Sequence, residues 1–347
     1  MAGPGVPRAS RAPICPSLPP EIWIRILSYH TDLTHLWLTC RGVSRTFLAY
    51  AEQVFAEYVI RDTHIDWALE KYNLGGKSRR PEVCVEFVRF SEDAGKRVAL
   101  FKAKRETEGG VGGERNRRWR LKLKIPEAHV TKRWEERVRN SRPEMPNYTI
   151  RIGDVVNDTA LPGLSFDAEN KEISVQWRDM FCAFFREQER FAVLRKRWQD
   201  HLARDMQKLE HGEPIPHQDL HQPWAATELD IRKQIRRARL REWYEEKGNE
   251  ELVWAVDSLK FYEKNKKEDG RVLKSLGEIP GAGLGEKWFG STYWVQALHL
   301  DETDCFHRID VKVEHWKHGG GGNEGAARKL PQQRARSMSI ASTITVS

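Results

Sequence analysis

Residues 17–60 have the sequence SLPPEIWIRILSYHTDLTHLWLTCRGVSRTFLAYAEQVFAEYVI, which predicts three short amphipathic helices. Pro19 and Pro20 suit the start of the first helix, because proline lacks the amide hydrogen that would be unpaired there. The residues placed to cap the second and third helices are Asp32 or Thr34, and Ser44. The apolar residues that recur at helical spacing are Ile22, Trp23, Ile26 and Leu27, then Leu33, Leu36 and Trp37, then Val43, Phe47, Tyr50, Val54 and Tyr58.

Three helices of this size bury too little surface to cover one another. Uncovered apolar helix faces indicate a partner protein. An alternative that stays open is that this segment docks on its own chain as an ordinary helical subdomain.

Four runs in this segment carry a resemblance to a known family. They are LPPEIW from Leu18, ILSY from Ile26, VSRTF from Val43 and AEQVF from Ala51. In this order they resemble the F-box, the adaptor-binding module of SCF ubiquitin ligases, in the form found in F-box proteins of filamentous fungi. His30 stands where the family usually has a leucine, and Gly42 lies in a turn where a longer residue is usual.

The resemblance implies a non-catalytic receptor that binds a Skp-family adaptor and, through it, a cullin and a RING ubiquitin ligase. It assigns eight residues to the adaptor interface or to the helical core beneath it: Leu18, Pro19, Ile22, Ile26, Leu27, Leu36, Val43 and Phe47. The rest of the chain would hold a protein substrate or a second partner. No catalytic residue, cofactor or metal is implied.

The composition is that of a folded protein in a reducing compartment. The chain has 347 residues, 39% of them hydrophobic, which suffices for two domains with real cores. Its net charge of +8 suits an acidic partner without requiring nucleic acid. The five cysteines show no paired or zinc-binding spacing: Cys15, Cys40, Cys84, Cys182 and Cys305. No run is long and apolar enough to be a signal peptide or to span a membrane, so we expect a cytoplasmic or nuclear location.

The remaining pattern predicts an α+β fold, in which the small three-helix F-box precedes a mainly antiparallel sheet packed with a long helix. We expect a disordered lead-in over 1–16, the F-box-like module over 17–60, a substrate- or partner-binding region over 61–316 and a disordered tail over 317–347. Strands are predicted at Val83–Phe90, Val98–Phe101, Trp119–Ile125, Tyr148–Ile152 and Ile173–Trp177, with a final hairpin formed by Tyr293–Leu300 and Arg308–Glu314. The long helix begins near Arg178.

A basic helix is predicted over Thr227–Lys247, followed by a shorter helix capped by Asn249. Its cations are Arg232, Lys233, Arg236, Arg237, Arg239 and Arg241. Cations beside Trp243 and Tyr244 would suit single-stranded nucleic acid. The neighbouring acids Glu228, Asp230, Glu242, Glu245 and Glu246 favour local pairing and a solvated face instead. We therefore do not expect nucleic acid as the partner, and a basic nucleic-acid-associated protein with a vestigial F-box stays the second hypothesis.

Two other patterns resemble functional motifs, a phosphate loop and a metal site, but lack the helix that each motif requires. The glycines of residues 281–285 are not followed by the helix that a phosphate loop needs. The prolines around His211, His217 and His221 oppose the helix that would bring two imidazoles together on a metal. No nucleophile motif or paired carboxylates stand out, although an enzyme of unknown type in the α+β region remains a third hypothesis.

Overall fold

The computed structural model of the protein describes residues 18–70, 82–92, 95–104, 127–211, 224–265 and 289–319. These residues form eight α-helices and a seven-stranded antiparallel sheet, so the predicted α+β class with an antiparallel sheet is confirmed. They divide into two compact units, with the boundary between Tyr58 and Val59.

The first unit contains three helices: α1 (Pro20–Ser28), α2 (Leu33–Leu38) and α3 (Arg45–Val54). Two of the predicted caps are present. The Asp32 carboxylate accepts a hydrogen bond from the amide of His35 at 2.9 Å, and the Ser44 hydroxyl accepts one from the amide of Phe47 at 3.1 Å. These bonds satisfy amide groups that have no partner within their own helix, which fixes where α2 and α3 begin.

A small apolar core holds this unit together. The Trp23 and Phe47 rings lie 5.1 Å apart between α1 and α3. The Arg41 guanidinium group lies 4.3 Å from the centre of the Trp37 ring and 2.6 Å from the Glu52 carboxylate. The buried apolar residues are Leu27, Leu36, Trp37, Ala51, Val54 and Phe55.

The sheet of the second unit has the strand order β5-β4-β1-β2-β3-β7-β6. Its strands are β1 (His64–Ala68), β2 (Glu82–Phe90), β3 (Val98–Ala103), β4 (Tyr148–Ile152), β5 (Val155–Asn157), β6 (Ser165–Asp167) and β7 (Glu172–Gln176). Fully buried Ile65 lies opposite Val85 on one side and Ile150 on the other, so the middle of the sheet buries one continuous apolar row. The strands β1, β5 and β6 were not predicted from the sequence.

Five helices follow or flank the sheet: α4 (Glu127–Arg139), α5 (Trp177–Glu210), α6 (Trp224–Glu246), α7 (Glu250–Asn265) and α8 (Phe289–Gly319). The Trp134 ring of α4 meets the Phe166 ring of β6 at 4.8 Å. Trp177, expected at the end of a strand, instead begins α5 and packs on Phe90 of β2. The buried apolar side chains of α5 come from its first turns: Trp177, Met180, Phe181, Phe184 and Phe185.

The predicted final hairpin is wrong. Tyr293–Leu300 and Arg308–Glu314 both belong to α8, and the expected turn at residues 301–304 is part of the same helix. This helix packs against α6 and α7 through a shared core of Leu240, Tyr244, Ala255, Val256, Leu259, Val295 and Leu298. The predicted cap Asn249 is present and accepts a hydrogen bond from the amide of Leu252 at 3.1 Å.

Several sequence predictions lie outside the described residues. They include the disordered lead-in over 1–16, the strand Trp119–Ile125, the glycines of residues 281–285, and His217 and His221. The helix α8 continues to Gly319, so the first residues of the predicted tail are helical. None of the described helices is both long and apolar enough to cross a membrane.

Candidate protein-docking surface

Helix α1 presents an apolar row to solvent. Ile22 and Ile26 are 46% and 48% exposed, and Tyr29 continues the same row one turn later. Residues at this spacing share one face of a helix. The Arg25 guanidinium group lies 5.4 Å from the centre of the Tyr29 ring and flanks this face with a positive charge.

A second exposed apolar group lies around the start of α3. Val43 is 67% exposed, and Leu48 is also exposed. Val43 follows the short 3₁₀ turn Cys40–Gly42. A Cβ atom added to Gly42 would have no neighbouring atom within 4 Å. The unusual glycine at this position therefore relieves no crowding.

The eight predicted site residues separate into three sets. Pro19, Ile22, Ile26 and Val43 are exposed, Leu18 and Phe47 are half-buried, and Leu27 and Leu36 belong to the core. The structure therefore places four of them where a partner can reach and two in the packing beneath. Tyr29 and Leu48 were not among the predicted site residues. Tyr29 could have been predicted, because its spacing from Ile22 and Ile26 places it on the same helix face.

His30, His35 and Cys40 form a cluster in the same unit, with ligand atoms within 4.8 Å of one another. The amide of Asp32 donates a hydrogen bond to Nδ1 of His30 at 3.1 Å, and Nε2 of His30 lies 3.1 Å from Nδ1 of His35. A ring that accepts at Nδ1 carries its proton on Nε2, which then donates to His35. Metal binding at Nε2 would require the opposite tautomer, so the geometry favours a chain of hydrogen bonds over a metal centre.

Glu263, His299 and Glu302 form a second cluster in the second unit. Its carboxylates already bind cations: Lys233 lies 2.6 Å from Glu263, and Arg237 lies 2.7 Å from Glu263 and 2.6 Å from Glu302. Two positive side chains thus balance two negative ones, and a divalent ion would add uncompensated charge.

The cations of the basic helix α6 pair mainly with acids that are distant in sequence. The partners are Asp310 for Arg232, Glu263 for Lys233, Asp158 for Arg236 and Arg239, Glu187 also for Arg239, and Glu302 for Arg237. Of the predicted local pairs, Arg241 with Glu245 is present at 2.8 Å. The expected local pairing was therefore wrong for the other cations of this helix, and the expected solvated face is wrong for Arg236, which is 3% exposed. These ion pairs with carboxylates of the fold hold α6 in place.

Lys312 of α8 forms a buried cluster with the sheet. Its ammonium group lies 2.8 Å from Asp66 of β1 and 2.5 Å from Glu82 of β2. Burial alone would raise the pKa of Asp66, but the Lys312 charge lowers it to about 2. Burial and the neighbouring Asp66 carboxylate raise the pKa of the Cys84 thiol, which disfavours the thiolate needed by a nucleophile.

Comparison with family models, curated proteins and solved structures found no match for this chain.

Proposed function

We propose that this protein is a non-catalytic substrate receptor of an SCF-type cullin-RING ubiquitin ligase. Its three-helix unit would dock on a Skp-family adaptor, and its second unit would hold a protein target. The observation that carries the proposal is that Pro19, Ile22, Ile26 and Val43 are apolar and exposed on a unit with its own core. These four residues belong to the runs that resemble the F-box.

The exposed side chains are suited to become central anchors of an interface. Burying an isoleucine or a valine that was exposed to water contributes about 1.5–3 kcal/mol, and Ile22, Ile26 and Val43 are all available. Only part of this gain appears as affinity, because association costs translational freedom and side-chain ordering. Removing a well-placed anchor typically costs about 2 kcal/mol or more.

The mechanism requires proximity and no chemistry by this chain. A target held on the second unit would meet the ubiquitin-loaded enzyme at high effective concentration, because both are tethered to one assembly. The cations of α6 form ion pairs within the fold, which supports a structural role for that helix. They favour the receptor over the nucleic-acid hypothesis, because paired guanidinium groups are less available to phosphates.

The test is capture of a purified Skp-family adaptor by the full chain. The Ile22→Asp, Ile26→Asp double variant should lose capture, because each carboxylate would have to be buried without a partner. Leu300→Asp is the matched control, since Leu300 is 61% exposed on α8 and lies in the second unit. The control should bind the adaptor as the wild type does.

Two results would contradict the proposal. One is a wild-type chain that fails to capture the adaptor, and the other is undiminished capture by the double variant with its thermal transition intact. Recovery of a cullin together with the adaptor would extend the result to the ligase. Recovery of RNA or DNA without an adaptor would favour the nucleic-acid hypothesis.

A further inference from the structure

A groove of about 390 Å³ lies between α5 and α6 of the second unit. Three arginines of α5 line it, and Gln234 of α6 contributes to its other side. Its volume is within the range of ligand-binding clefts. The arginines are Arg186, Arg190 and Arg197.

The groove follows one face of α5. Arg186, Arg190, Val193 and Arg197 are separated by four, three and four residues, which places them in one row along the helix. From Arg186 to Arg197 the row is about 16 Å long. An extended peptide of about five residues would span it. Val193 and Leu194 make the middle of the row apolar between its charged ends.

The arginines of this row differ from those of α6 in their ion pairing. Arg186, Arg190 and Arg197 are exposed, and the structure records no ion pair between any of them and the residues it describes. Glu189 is the single acid among the described lining residues, so the groove carries three positive charges and one negative charge. Guanidinium groups that are not held by carboxylates of the fold can form paired hydrogen bonds with carboxylates of a ligand.

We infer that this groove binds an acidic peptide segment that carries apolar side chains, with its carboxylates on Arg186, Arg190 and Arg197. Val193, which is exposed within the groove, would contact the apolar side chains together with Leu194. Single-stranded nucleic acid fits less well, because it needs aromatic rings for base stacking and the described lining residues include none. The inference names the class of target that the proposed receptor takes, and in that respect it rests on the proposed function.

The test measures fluorescence polarisation of a labelled peptide of alternating glutamate and leucine, titrated with the full chain. The peptide should bind, and binding should weaken as salt is raised. Arg186→Gln with Arg190→Gln should weaken binding roughly tenfold or more, because two charge-assisted contacts are lost. The matched control is Lys132→Gln with Arg133→Gln, which removes the same charge from exposed positions of α4 and should change binding by less than about twofold.

Three results with the peptides would overturn the inference. They are absence of binding to the wild-type chain, equal loss in the control variant, and equal binding of a peptide in which glutamine replaces every glutamate. A single-stranded oligonucleotide that binds more tightly than the peptide, and is lost in the same variant, would also overturn it by assigning the groove to nucleic acid. Adaptor capture by the groove variant should be unchanged, so failure of this inference is distinguishable from failure of the proposed function.

Discussion

The guanidinium group of Arg239 on α6 lies 2.8 Å from the carboxylate of Asp158, a residue 81 positions earlier that follows strand β5. The same guanidinium group lies 2.8 Å from Glu187 of α5, and Arg236 also pairs with Asp158. Burial would raise the pKa of Asp158, but the two guanidinium groups hold it below its ordinary value. This buried cluster fixes α6 against the end of the sheet and against α5.

Asp158→Ala should strongly destabilise the second unit. The substitution leaves buried Arg236 and half-buried Arg239 without this carboxylate, and breaking a buried ion pair from one side costs about 3–5 kcal/mol. Urea unfolding followed by tryptophan fluorescence measures the change. Arg241→Ala is the control, since Arg241 pairs with Glu245 at the surface and its loss should have little effect. Equal stability of the Asp158 variant and the wild type would show that the cluster does not hold the fold.

Local signals in the sequence predicted the ends of elements well. The caps at Asp32, Ser44 and Asn249 are correct, because a cap depends on a side chain and an amide only a few residues away. The strands at Val83–Phe90 and Tyr148–Ile152 were also recognisable from the alternation of their residues. Alternate burial is present only at the start of the first strand, at Val83 and Val85, whereas Tyr148, Thr149 and Ile150 of the second are all buried.

Helix α8 was misread because charged residues occupy part of its buried face. Val295, Leu298, Glu302, Cys305, Ile309 and Lys312 recur every three or four residues and are buried or partly buried. The sequence pattern predicted Glu302 in the turn of a hairpin and Lys312 in the strand Arg308–Glu314, because charged residues at these positions interrupt the apolar helical period. Their partners Arg237 and Asp66 come from other elements, so no local pattern reveals them.

The candidate docking surface was only partly predictable for a related reason. The resemblance to the F-box selected Ile22, Ile26 and Val43, which the structure places at the surface. It selected Leu27 and Leu36 equally, although both are buried. Periodicity gives the apolar face of a helix, but the division of that face between core and partner depends on how the helices pack.

The Asp66–Lys312 pair should make stability sensitive to acid. The pKa of Asp66 is about 2 in the folded protein, against an ordinary value of 3.8. A group whose pKa is lowered on folding stabilises the protein above its unfolded pKa, and that stabilisation is lost as the pH falls towards the folded value. The pair should therefore contribute about 2 kcal/mol near neutral pH and lose this contribution between about pH 4 and pH 2.

Urea unfolding of the wild type and of Asp66→Asn at a series of pH values measures this contribution. The stability difference between the two proteins should be largest above about pH 4 and should shrink as the pH approaches 2. A difference that stays constant over this range would mean that Asp66 titrates alike in the folded and unfolded chains.

The described cysteines should react with iodoacetamide at different rates in the folded protein. Cys305 is almost fully buried, and burial raises the pKa of its thiol despite Arg236 and Arg308 each lying 3.3 Å from its sulfur. Cys40 is partly exposed and should be alkylated before Cys305, which is buried, and before Cys84, whose thiol pKa is raised. Peptide mass spectrometry after a short pulse measures this order, and urea-unfolded protein supplies the control in which all sites react. Alkylation of Cys305 as fast as Cys40 in the native protein would contradict the buried cluster.

The last prediction concerns helix α8 and the integrity of the second unit. A chain ending at Gly277 lacks α8 and therefore loses Val295 and Leu298 from the core shared with α6 and α7. It also loses Lys312, which would leave Asp66 and Glu82 facing each other without their cation. We expect this chain to lose its cooperative thermal transition, whereas a chain ending at Gly319 keeps it because α8 is complete. Differential scanning calorimetry of the two chains and the full-length protein measures the outcome. A cooperative transition in the chain ending at Gly277, at the temperature of the full-length protein, would show that the sheet and the preceding helices fold without α8.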